Sequence, residues 1–262
     1  MDTTHQKHLF EFGVEKPDLL PVFSGRSFNL WNPDTGEIYS QIDEADLTDF
    51  LQQKRPKQIR SSGGPFGGMD ADWAASAETL PMNFPRIAFR DIARATDTRT
   101  VIAALVPPSV GLVHTAPYLF NRSQNQRSES WLIGLMSSRI FDWFARRYVE
   151  QHLTLSILQS LPVPDSSLDT SLSTRLVENS GRLAAVDDRY TEWAEAVGVP
   201  VGSANDPEVK RELIAENDAI VAKLYGLSSE QLTVLFETFH IGWDYSDDLA
   251  HTLKYFDALE KN

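Results

Sequence analysis

The chain has no cysteine among its 262 residues, which excludes disulfides, thiolate nucleophiles and cysteine-ligated zinc or iron–sulfur sites. It also lacks any run of about 18 apolar residues of the kind that crosses a bilayer. The first residues show no basic segment followed by an apolar stretch, so a secretory signal is not expected. These absences predict a cytoplasmic protein with no membrane partner.

The usual sequence signatures of catalysis are missing as well. The six histidines form neither an H-x₃-H nor an H-E-x-x-H pair, and neither a Walker sequence nor a G-x-S-x-G turn occurs. The glycines of residues 61–68, "SSGGPFGG", are not followed by the G-K-[ST] ending of a phosphate-binding loop. We therefore predict no catalytic residue and no metal ligand in this chain.

Basic residues are fewer than acidic residues, and both are unevenly distributed. The chain has 24 Lys and Arg and 37 Asp and Glu, which gives a net charge of −13. Residues 1–165 hold 16 basic against 19 acidic side chains, whereas residues 166–262 hold 8 against 18. Residues 86–147 run against this trend, with nine arginines against four acids. The overall charge disfavours sequence-independent binding of polyanions, but a local arginine cluster can still serve a shaped site.

Hydrophobic periodicity predicts an α+β fold: a mixed α/β domain over residues 1–165, followed by an acidic helical C-terminal part over residues 166–262. Strands are predicted within residues 19–42, 86–92, 101–109, 111–120 and 153–165, loops over 55–73 and 121–130, and helices over 43–54, 128–153, 168–198, 206–226 and 228–239. Ser128 and Asp206 are the expected N-caps, with Pro207 at a first helical position and Gly226 after a last turn. Because residues 206–226 carry apolar side chains at helical spacing, we expect the C-terminal helices to pack on the preceding part.

The arginines stand out from this background. Arg86, Arg90 and Arg94 are spaced by four, so they share one side of the backbone whether the segment is helical or extended. Arginine suits bidentate contacts with phosphate and with the guanine edge. Asp91 and Asp97 are near enough in sequence to pair with some of these arginines. A structural role and a binding role both remain open for each of them.

Four long segments occur in a familiar order: "RIAFRDIARATDTRTVIAALVPP", "HTAPYLF", "WLIGLMSSRIFDWFARRYVEQHLTLSILQSLPVPD" and "IAENDAIVAKLYGLSSEQLTVLF". Together they resemble the C-terminal target-recognition region of adenine-specific DNA methyltransferases of the type IIG restriction–modification and phage-defence kind. "LPVFSGRSFNLWNPDTGEIY" is similar to the segment that opens that region. The resemblance covers most of residues 19–240.

The resemblance implies a module that docks on double-stranded DNA while a separate methyltransferase domain or subunit binds S-adenosylmethionine and methylates a flipped adenine. This chain contains no N-P-P-[YF] or D-P-P-[YW] tetrapeptide and no F-x-G-x-G loop, so it should hold no cofactor itself. The implied DNA-binding residues are Arg94, Arg99, Arg122, Gln124, Asn125 and Arg127. Arg86 and Arg90 are expected to stabilise the fold, and the loops 55–80 and 121–130 to carry sequence specificity.

Two other functions are compatible with the sequence. The acidic part could bind a basic protein, which would make the chain a protein-interaction subunit of a defence complex. An acidic mimic of DNA is a weaker alternative, because Lys210, Arg211 and Lys223 interrupt the carboxylates.

The missing cofactor and adenine motifs lead to a direct prediction. The purified chain should neither bind S-adenosylmethionine nor transfer methyl groups to DNA. Isothermal titration calorimetry with the cofactor checks this, and binding in the micromolar range would reveal a nucleotide site that the sequence does not disclose.

Overall fold

The computed structural model describes residues 1–61, 63–64, 66–94, 96–165, 167–240 and 242–259, and it confirms the predicted α+β class. The chain forms two compact units. The first comprises Met1–Arg90 and Ala104–Gln124, and the second comprises Asp91–Ala103 and Asn125–Asn262. The predicted boundary at residue 165 therefore differs from this division and lies inside the second unit.

The strands are short and belong almost entirely to the first unit. They are β1 (Leu20–Phe23), β2 (Ser40–Ile42), β3 (Arg86–Phe89), β4 (Ala103–Val106) and β5 (Gly111–Leu112). One sheet has the order β2-β1-β5, in which β1 runs antiparallel to β2 and parallel to β5; a second sheet pairs β3 with β4. Val22 in the central strand is aligned with both Ser40 and Gly111.

Two groups of buried side chains form the core of the first unit. Val22, Ile42, Leu47, Leu80 and Met82 belong to one of them. The other contains Phe23, Phe28, Ala88, Ala104, Val106, Val110, Leu112 and Ala116. Every residue of β3 and β4 is buried, including Arg86 at the start of β3.

The first unit also contains the α-helices α1 (Glu44–Arg60) and α2 (Ala71–Ala75). The side chains of Asp43 and Asp70 cap them by accepting hydrogen bonds from backbone N–H groups of their first turns. The predicted loop over residues 55–73 is thus partly wrong, because α1 continues to Arg60 and α2 begins at Ala71. Ser62 and Pro65, within that loop, lie outside the described residues.

The side chain of Arg55 connects α1 to α2. Its side chain is buried, and its guanidinium lies 5.0 Å from the ring centre of Phe66 and 4.7 Å from that of Trp73. It also donates hydrogen bonds to the carbonyl oxygen of Ala74 and to both the carbonyl and hydroxyl oxygens of Thr79. Burial lowers the pKa of Arg55, and the carbonyl and aromatic contacts compensate for its lost hydration.

The second unit is helical apart from the segment 91–103. Its helices are α3 (Gln126–Ser137), α4 (Arg139–Ala145), α5 (Leu155–Ser160), α6 (Ser171–Ala184), α7 (Thr191–Val197), α8 (Pro207–Leu224), α9 (Ser229–Glu237) and α10 (Ser246–Leu259). Within the described residues, none of the helices combines the length and the apolar character that a membrane span requires.

Helices from both sides of residue 165 share one core, which is why the second unit extends across that position. At Gly134 in α3, an added Cβ would lie 2.1 Å from the Ser180 hydroxyl oxygen of α6. Ser130 donates a hydrogen bond of 2.6 Å to the Val177 carbonyl, and the Asn217 amide of α8 donates one to Ser180. These buried contacts join α3, α6 and α8 in one core.

An ion-paired arginine joins four helices of this unit. Arg139, at the start of α4, lies 3.0 Å from Asp218 of α8 and 2.5 Å from Asp248 of α10. Its guanidinium also lies 5.4 Å from the ring centre of Phe236 in α9. Both carboxylates raise the pKa of Arg139, while its burial acts in the opposite direction.

Three local predictions in this region are wrong. The single helix over 128–153 is interrupted at Ser138, whose backbone is extended and whose hydroxyl accepts from the Phe141 N–H to begin α4. Asn125 rather than Ser128 caps α3. The strand predicted over 153–165 contains instead the helix α5, capped by Thr154, because a short apolar run does not by itself distinguish a strand from a helix.

The expected signals at the ends of α8 are confirmed. The Asp206 carboxylate accepts hydrogen bonds from the N–H groups of Glu208 and Val209, and Pro207 occupies the first helical position. Gly226 follows the helix with a φ of 69°, where glycine avoids the steric cost of a left-handed conformation.

Candidate functional site

The segment 91–103 of the second unit carries two of the predicted DNA-binding arginines and is tied to α4 by one carboxylate. Asp142 is fully buried, and its Oδ1 accepts hydrogen bonds of 3.0 Å and 3.1 Å from the backbone N–H groups of Thr100 and Val101. Burial raises the pKa of Asp142, while nearby guanidinium groups and the two N–H donors act in the opposite direction. The segment is therefore anchored through its backbone.

Arg99 is one of the groups that balance this carboxylate. Its Nε lies 2.9 Å from the Asp142 Oδ2, and its guanidinium donates a hydrogen bond to the Ser137 carbonyl. Only 14% of its side chain is exposed. This geometry supports the structural alternative for Arg99, so we remove it from the candidate DNA contacts.

Arg146 holds the same segment from the end of α4. It donates hydrogen bonds of 2.7 Å and 2.8 Å to the carbonyl oxygens of Asp97 and Thr98, and its Nε lies 3.7 Å from the Asp142 Oδ1. Its guanidinium lies 4.3 Å from the ring centre of Phe239. The residues 97–101 are thus fixed by side chains from α4 at several points.

Two other arginines of this region remain exposed, and we call Arg94 and Arg147 the exposed arginine pair. The backbone of Arg94 is held, because its N–H donates to the Asp97 carboxylate and its carbonyl accepts from the Thr100 hydroxyl. Arg147 lies with its guanidinium 4.2 Å from the ring centre of Trp143. Neither guanidinium forms an ion pair with any residue that the structure describes. Within the described part of the chain, the pair therefore presents two guanidinium groups that have no ion-pair partner.

Beside Arg147 lies a cleft of about 330 Å³, which we call the Trp143 cleft. It is lined by Thr96, Trp143, Arg146, Arg147, Thr238, Phe239 and His240. The Trp143 indole N–H donates a 3.1 Å hydrogen bond to the Thr238 hydroxyl, which fixes its ring. Because a carbonyl oxygen only accepts, the His240 Nε2 donates the 2.9 Å hydrogen bond to Thr96.

The remaining predicted contacts are divided between the two units. Arg122 and Gln124 belong to the first unit, where both are exposed; Arg122 donates a 2.8 Å hydrogen bond to the Gly67 carbonyl, and Gln124 has a φ of 50°. In the second unit, the Asn125 side chain is engaged as the cap of α3, and half-buried Arg127 donates to the Val197 carbonyl. Asn125 is therefore poorly placed to read base edges.

Arg86 and Arg90 have the structural environment expected of them. Arg86 is 5% exposed, donates a 2.8 Å hydrogen bond to the Val110 carbonyl and lies 5.3 Å from the ring centre of Tyr118. Arg90 donates to the Phe28 carbonyl at 2.6 Å. Backbone carbonyls thus accept hydrogen bonds from both guanidinium groups, and an aromatic ring also contacts that of Arg86.

No group of three or more His, Cys, Asp or Glu side chains is arranged to hold a metal ion within the part of the chain that the structure describes. The comparisons with known proteins give no family: neither a protein-family model, nor a curated protein, nor a solved structure matches the chain.

The role of Asp142 generates a stability prediction. Asp142→Asn leaves the buried guanidinium groups of Arg99 and Arg146 without their carboxylate, and breaking such a buried pair costs about 3–5 kcal/mol. We expect the free energy of unfolding, measured by urea titration, to decrease by an amount in that range. Asp247→Asn is the matched control, since its carboxylate is 94% exposed and lies 3.9 Å from Arg211; its effect should stay within about 0.5 kcal/mol. Equal losses in the two variants would contradict the anchoring role.

Proposed function

We propose that this chain is the DNA target-recognition module of an adenine-N6 DNA methyltransferase system of the restriction–modification or phage-defence kind. It acts on double-stranded DNA in the cytoplasm. A methyltransferase domain or subunit completes it and brings S-adenosylmethionine. The observation that carries the proposal is the exposed arginine pair, Arg94 and Arg147, which stays without carboxylate partners among the described residues of a chain with net charge −13.

The physical argument concerns which arginines can gain from a phosphate. Arg99 and Arg146 already have carboxylate or carbonyl partners, so a phosphate would have to displace contacts that stabilise the fold. Among the residues that the structure describes, the guanidinium groups of Arg94 and Arg147 have no carboxylate or carbonyl partner to lose. A phosphate oxygen would give them charge-assisted hydrogen bonds and release counterions from the DNA.

The anchoring of the segment 91–103 adds to this argument. Arg94 lies on a backbone that Asp142, Arg146 and its own hydrogen bonds with Asp97 and Thr100 hold in place. A preorganised backbone lowers the entropy lost when a side chain binds its ligand. Phosphate contacts of this kind position a protein on DNA, whereas base contacts give specificity. Arg122 and Gln124, both exposed in the first unit, are the proposed base-reading candidates.

A salt titration tests the proposal. Each phosphate contact contributes roughly −0.9 to the slope of log affinity against log salt concentration. We expect the double variant Arg94→Ala/Arg147→Ala to bind duplex DNA more weakly at low salt and to reduce the magnitude of this slope by about 2. Fluorescence anisotropy with a labelled duplex, repeated over a series of salt concentrations, measures both quantities.

The matched control is Lys7→Ala/Arg26→Ala, which removes the same charge from two exposed positions of the first unit. It should retain the wild-type slope. If the two double variants gave the same slope, the effect would be one of net charge alone, and the exposed arginine pair would not be the DNA contact. An absence of duplex binding by the wild-type chain would favour the protein-interaction alternative.

A further inference from the structure

The proposed contacts with duplex phosphates do not use the aromatic rings of the Trp143 cleft. We infer that it receives the base of an unpaired nucleotide, so that the chain also binds single-stranded DNA. This inference rests on the proposed function, because it assigns a further DNA ligand to the same region. The ligand class follows from the size, the aromatic rings and the charge of the cleft.

The size of the cleft favours a single small planar group. Its 330 Å³ lies at the lower end of the roughly 300–1,000 Å³ that small-molecule sites occupy. A duplex presents its bases inside a stack and cannot insert one into a cleft without unpairing it. The cleft therefore suits one base that is already unpaired.

The rings around the cleft provide a surface on which a base can stack. Trp243 is 57% exposed, while the other tryptophans are buried or half-buried. Its ring centre lies 5.5 Å from that of His240, which lines the cleft, at an interplanar angle of 45°. Exposing so much aromatic surface is costly in water, and stacking with a base would cover it.

The charge beside these rings suits the phosphates of the same nucleotide. Arg147 lies over the Trp143 ring, and a guanidinium held in this way keeps the N–H groups of its edge available. Its side chain makes no ion pair with a described residue. Aromatic rings combined with arginines along the strand are the usual composition of sites for single-stranded nucleic acid. His240 connects the cleft to the exposed ring of Trp243, because it lines the cleft with Arg147 and contacts that ring.

The test compares a short oligothymidylate, a backbone of the same length without bases, and a duplex, each labelled and titrated with the same proteins. Trp243→Ala removes the exposed ring. Stacking of a base is worth about 1–3 kcal/mol, so affinity for oligothymidylate should fall by roughly 5- to 150-fold. Affinity for the duplex and for the strand without bases should change by less than about twofold, since their phosphates are the same.

Phe84→Ala is the matched control, because Phe84 is an aromatic residue of the first unit that is 47% exposed. It should bind all three ligands as the wild type does. Trp143→Phe tests the cleft itself: it keeps a ring but removes the indole N–H that donates to Thr238, and we expect a smaller loss for oligothymidylate alone. Circular dichroism confirms that each variant is folded.

The outcomes separate this inference from the proposed function. Unchanged affinity of Trp243→Ala for oligothymidylate, with duplex binding that still depends on Arg94 and Arg147, overturns the cleft inference alone. Loss of oligothymidylate binding in Trp243→Ala, with no duplex binding by any protein, supports the cleft and overturns the duplex proposal. Equal binding of the strands with and without bases also overturns the cleft inference, because only phosphates would then be recognised.

Discussion

The buried carboxylate of Asp142 is the interaction on which the candidate site depends. It accepts hydrogen bonds from the backbone of Thr100 and Val101, and it lies beside the guanidinium groups of Arg99 and Arg146. A buried charge is stable only when such partners compensate its lost hydration. One side chain of α4 thereby fixes a segment that is distant in sequence. Arg94 lies on that segment, and Arg147 lies just after α4.

The same principle explains how a strongly acidic chain accommodates an arginine cluster. Most of these arginines have internal partners. Arg86 and Arg90 donate hydrogen bonds to carbonyl oxygens, whereas Arg99 and Arg139 form ion pairs with carboxylates. Their charges serve the fold and contribute little to the surface field. Arg147 belongs to the minority whose guanidinium remains exposed. The acidity of the chain therefore does not preclude local contact with phosphate, although it opposes tight binding at long range.

Local patterns predicted what local interactions determine. The N-cap Asp206 and the left-handed Gly226 define α8 through hydrogen bonds and backbone conformation within a few residues. Longer-range features lie beyond such patterns. Asp142 meets Thr100 across 42 positions, and the Trp143 cleft unites residues from three separate segments, including His240. The spacing of Arg94 and Arg99 likewise could not show which of them has a carboxylate partner, because that partner is on α4.

The central claim is that the anchored segment 91–103 and the end of α4 contact duplex DNA. Hydrogen exchange of backbone amides, measured by mass spectrometry with and without a saturating duplex, tests it most directly. We predict slower exchange on DNA binding in peptides covering residues 91–103 and 139–153, with unchanged exchange in the C-terminal helices α6 and α8. Slower exchange confined to α6 and α8, with no change over residues 91–103, would contradict the account.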